Sequence, residues 1–123
     1  MADAADTQDQ AKARWVSPYP FESTTGGQGV PLMTANTTSG STREAIVGGE
    51  GNALCIYNDG GGANVTVYVA WGTNGVTATT AHFPVGPGVQ TIISLPKDGS
   101  ATHVACITRT GTAYLSVHKG YGN

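Results

Sequence analysis

Apolar and polar positions alternate in short bursts from residue 44 onward. The run Val65–Gly72, VTVYVAWG, sets Val65, Val67, Val69 and Trp71 on one side of an extended strand and Thr66, Tyr68 and Ala70 on the other. It carries no charge, and neither face is polar enough to be left in water. The pattern therefore predicts a strand covered on both sides. Further strands are predicted at Glu44–Val47, Ala53–Asn58, Val89–Leu95, Thr102–Thr108 and Thr112–His118, with a weaker run at Thr77–Phe83. Val89–Leu95 also reads as buried on more than one side. Leu115 and Val117 alternate with Ser116 and His118, the pattern of a half-exposed strand. Turn residues separate the runs (NDGGGAN, GTNG, PVGPG, PKDG, TRTG), and no window keeps a helical period. The expected fold class is all-β: an antiparallel β-sandwich of the jelly-roll type, spanning residues 44–123.

The preceding stretch, residues 1–43, has another texture and reads as an extended N-terminal arm and linker. Residues 1–14 could form a short frayed helix but offer no apolar stripe. In WVSPYPFES, Pro18 and Pro20 exclude a regular helix and favour an extended path. Trp15, Val16, Tyr19 and Phe21 cannot bury one another there, which marks them as candidates for contact with a partner shell or neighbouring subunit; the alternative is that they cap the open end of their own sandwich. Residues 23–43 are rich in Thr, Ser, Gly and Asn and read as linker.

Composition narrows the function classes. With 18 glycines in 123 residues, disorder is the first reading to test, and the clustered Val, Ile, Leu and Tyr runs argue against it. Asp3, Asp6, Asp9 and Glu22 stand against Lys12 and Arg14, so the whole net charge of −2 lies in the first 22 residues. The neutral remainder has no basic stripe for nucleic acid and little repulsion between copies. No secretory leader is read at the N-terminus, and no apolar run is long enough for a membrane helix. Cys55 and Cys106 fit buried, reduced thiols; a disulfide between them is the alternative left open.

Chemistry-bearing patterns are sparse. DGGG at Asp59–Gly62 leads into a strand, whereas a phosphate cradle needs a helix start behind it. His82, His103 and His118 lack metal-ligand spacing, although one histidine per chain would suffice on a three-fold axis. No nucleophile elbow is present, and Asp59 and Asp98 sit at turns. The expectation is no enzyme, no cofactor and no metal. A carbohydrate-binding sandwich is the rival reading, with Trp71, Tyr57, Tyr68 and Tyr114 as aromatic platforms. The alternative is that these aromatics fill the sandwich or an oligomer interface, with Tyr57, Tyr68 and Tyr114 as subunit-interface candidates.

From Gly49 onward the pieces LCIYND, VTVYVAWG, VTATTAHFPVGPG, QTIISLP, GSATHVACIT, GTAYLSV and the terminal GYG follow in order. This resembles small virion proteins of tailed bacteriophages, of the capsid decoration or cement type. The resemblance covers Gly49–Gly122 and leaves out the N-terminal 48 residues. It implies a homotrimer that binds the major capsid protein on the capsid surface after assembly in the host cytoplasm. It implies no catalytic residues, no nucleic acid and no membrane. On that reading, the second face of VTVYVAWG packs on another copy or on the shell.

Overall fold

The computed structural model describes residues 21–24, 26–30, 32–38, 42–46, 50–62 and 64–122. Its strands are β1 (Phe21–Ser23), β2 (Met33–Ala35), β3 (Arg43–Ala45), β4 (Ala53–Asn58), β5 (Val67–Gly72), β6 (Phe83–Val85), β7 (Gln90–Ser94), β8 (His103–Thr108) and β9 (Ala113–Gly122). They form two antiparallel sheets. The five-stranded sheet runs β1-β9-β4-β7, with β2 also on β9; the four-stranded sheet runs β3-β8-β5-β6. The pairs nest: β5 with β6, β4 with β7, β3 with β8, and β2 with β9. The chain is thus one long antiparallel ribbon, doubled back after β5 and wrapped around its own core.

Period-two alternation decides which side chains meet between the sheets. Leu54, Ile56, Ile93, Leu115, Val117 and Met33 point inward from one sheet, and Val67, Val69, Val85, Val104 and Cys106 from the other. Both cysteines are free and buried. Cys106 lies in this core, whereas Cys55 lies on the outer face of the opposite sheet, where Gln90 Nε2 reaches its Sγ at 2.9 Å.

The N-terminal reading needs correction. Within residues 23–43, expected to be linker, β2 pairs residue by residue with Ala113–Leu115, and Val30, Met33 and Ala35 are buried in the core. Phe21, expected in the arm, opens β1 opposite Gly122. The boundary expected at residue 44 falls inside β3. These strands are three residues long, too short to show alternation; pairing to β9 is what makes them strands.

A second correction concerns Thr77–Phe83. The strand there begins at Phe83, and the preceding residues fold back instead. Val76 and Ala78 pack on Ala70 and Ala105 on the outer face of the four-stranded sheet. Arg43 Nη1 holds them by donating to the Val76 carbonyl at 3.2 Å. Two small alanines on the sheet, Ala70 and Ala105, let the loop approach this closely. The second face of VTVYVAWG is therefore covered, at Ala70, by the chain's own loop and not by another molecule.

Val89–Leu95 is not enclosed either. β7 is the end strand of its sheet, and Ile92 lies half-buried on the outer surface.

The DGGG turn is rigidly built. Asn58 is fully buried, and its Nδ2 donates to the carbonyls of Val65 and Val85, each at 2.9 Å, while Gly60 N donates to its Oδ1. Asp59 Oδ1 accepts from Gly61 N and from Tyr114 N. Gly61 has φ +61°, and a Cβ there would strike the Thr112 carbonyl, so glycine is required.

Candidate assembly surface

The outer face of the five-stranded sheet gathers the candidate interface residues. Alternation along β4 turns Tyr57 outward, and alternation along β9 turns Tyr114 the same way. Tyr57 stands opposite Ser116, two residues from Tyr114, so the two rings are diagonal neighbours. Each is 42% exposed. Around them lie Gln90 opposite Tyr57, Ile92 opposite Cys55, and Thr34 opposite Tyr114. The carboxylate beside Tyr114 is that of Asp59, whose Oδ1 accepts from the Gly61 and Tyr114 N–H groups. Exposed tyrosines on a sheet face offer large rigid rings for packing, with hydroxyls able to bond at the rim.

Tyr68 belongs elsewhere. It sits on the four-stranded sheet, half-buried, with the Arg109 guanidinium carbon 5.3 Å from its ring centroid. Trp71 is no exposed platform: it packs against the core and meets Phe83 edge-to-face at 6.0 Å. Of the proposed arm residues, Trp15, Val16 and Tyr19 lie outside the described residues. Phe21 is half-buried beside Gly120, whose lack of a side chain leaves room for the ring and for the Glu22 carbonyl.

Sequence reasoning missed a second feature, at the end of the sandwich where β9 terminates. A cleft of about 540 Å³ opens there between Glu50, Asn52, Leu95, Lys97, Lys119 and Tyr121. The Tyr121 hydroxyl donates to Glu50 Oε1 at 2.7 Å, and that bond to a carboxylate raises the tyrosine pKa above its ordinary value. Asn52 Oδ1 accepts from Gly122 N and ties the end of β9 down. These residues come from distant parts of the chain, so no local motif could announce them.

Among the described residues, no group of three His, Cys, Asp or Glu is placed to hold a metal ion. No helix there is long and apolar enough to cross a membrane. No protein-family model, curated protein or solved structure matches the chain.

Proposed function

We propose that this chain is a structural virion protein: a capsid decoration or cement protein that binds the major capsid protein of a tailed phage as a homotrimer, without catalysis. The observation that carries the reading is the outer face on which Tyr57 and Tyr114 stand exposed as diagonal neighbours, a surface suited to permanent contact. The nested pairing of β2 to β9 supports a jelly-roll topology, an architecture used by viral capsid and lectin domains alike. The neutral charge of residues 23–123 supports assembly of copies side by side. Trp15, Val16 and Tyr19 supply an arm toward the shell or a neighbouring subunit.

Sedimentation velocity at micromolar concentration tests the reading. The expected species has three times the chain mass; a monomer that binds glycans overturns it. One observation favours that rival. The end cleft sets an exposed tyrosine against a carboxylate, a pairing able to stack on a sugar ring and bond its hydroxyls. A glycan array with wild type and Tyr121→Ala separates the two.

A further inference from the structure

The four sheet edges are not equally protected. β6 carries Pro84, β3 is three residues long and bears Arg43 and Glu44, and the β1/β2 edge is split into two three-residue pieces. Each is a known way to blunt an edge. β7, QTIIS, has five residues, no charge and no proline.

Its backbone direction can be read from its neighbours. Leu95 N donates to Asn52 O, and Asn58 N donates to Val89 O. Odd-numbered residues of β7 therefore face β4. Gln90, Ile92 and Ser94 turn both N–H and C=O to the edge that no other described strand covers. Their side chains share the outer face with Tyr57 and Cys55.

The chain itself contains a segment of matching parity. Trp15–Pro20 has proline at 18 and 20, so in a strand the N–H groups of Trp15, Ser17 and Tyr19 face one way and the prolines face the other. Ser17 opposite Ile92 brings Trp15 to Ser94 and Tyr19 to Gln90 in an antiparallel ladder. Residues opposite one another share a face, so both aromatic rings would land on the outer surface, with Tyr19 nearest Tyr57.

The donor cannot be the same molecule. Phe21 is fixed in β1, and β9 and β4 separate it from β7, a lateral gap of about 14 Å. The two residues from Phe21 back to Tyr19 span only about 7 Å. We propose that residues 15–20 of one copy add as a strand to the β7 edge of a second copy. The contact is head-to-tail and uses two different surfaces, a heterologous contact that makes a ring where its rotation closes, as the trimer reading requires. The proposal rests on the trimer reading and names its junction.

Proline scanning of the full chain tests it by sedimentation velocity, with circular dichroism as the fold control. Ser17→Pro removes a pairing N–H and should raise the dissociation concentration at least 100-fold. Val16→Pro removes an N–H on the outward side and should leave the trimer intact. Ile92→Lys, on the acceptor edge, should give folded monomers. A trimer indifferent to Ser17→Pro or to Ile92→Lys, or equally broken by Val16→Pro, overturns the strand exchange alone. A wild-type chain that is monomeric overturns the trimer reading itself.

Discussion

The side-chain amide of Asn58 donates to the carbonyl of Val85 at 2.9 Å, joining a central strand of one sheet to an edge strand of the other. The same amide serves Val65, and its oxygen serves Gly60. Asn58→Ala strands the buried Val85 carbonyl, the partly buried Val65 carbonyl and the Gly60 N–H. The expected loss is about 3 kcal/mol in urea unfolding. Asn58→Asp should cost more, because a carboxylate cannot donate to either carbonyl. A loss under about 1 kcal/mol for both would show that the turn holds without the amide.

The alanine-lined loop makes a packing prediction. Ala105 is fully buried beneath Val76 and Ala78. Ala105→Leu should lift the loop and cost about 1–3 kcal/mol. Hydrogen exchange at the Val76 and His82 amides, both bonded within the loop, should speed up. Arg43→Ala removes only one bond to that loop and should have the smaller effect.

Tyr57 and Tyr114 separate folding from assembly. Both are well exposed, so Tyr57→Asp and Tyr114→Asp should change unfolding stability by no more than about 0.5 kcal/mol. Each should nevertheless break the oligomer, since an unpaired charge would be buried at the contact. Oligomers unchanged by both substitutions would remove this face from the interface.

Cys106 should shape the alkaline limb of stability. Burial pushes its thiol up to about 11, against the opposing bond with Thr42. Below pH 9 both folded and unfolded chains keep the proton, and the group is neutral in the balance. Between pH 9 and about 11 the unfolded chain releases its proton while the folded chain holds it, so stability falls as pH rises. Cys106→Ser should flatten that limb, and a thiol reagent at pH 8 should reach Cys106 only after unfolding. Rapid labelling of the native protein at that position would contradict the burial.

How much of this was legible in advance depended on whether the signal was local. The position of β4 could be read from ALCIYN to the residue, because strand alternation is written in consecutive side chains. The same holds for the approximate places of β5, β7, β8 and β9. Partnership is not local. Nothing in MTA marks a strand until β9 lies beside it, and nothing in QTIIS distinguishes an edge from a sheet centre, since both favour the same β-branched residues. Tyr57 and Tyr114 are 57 positions apart and become neighbours only through the β4–β9 register, while Tyr68, closer in sequence to Tyr57, faces away on the other sheet. The cover over Ala70 came from a loop whose sequence resembled a strand, because free volume above Ala70 and Ala105, not propensity, decided where it went.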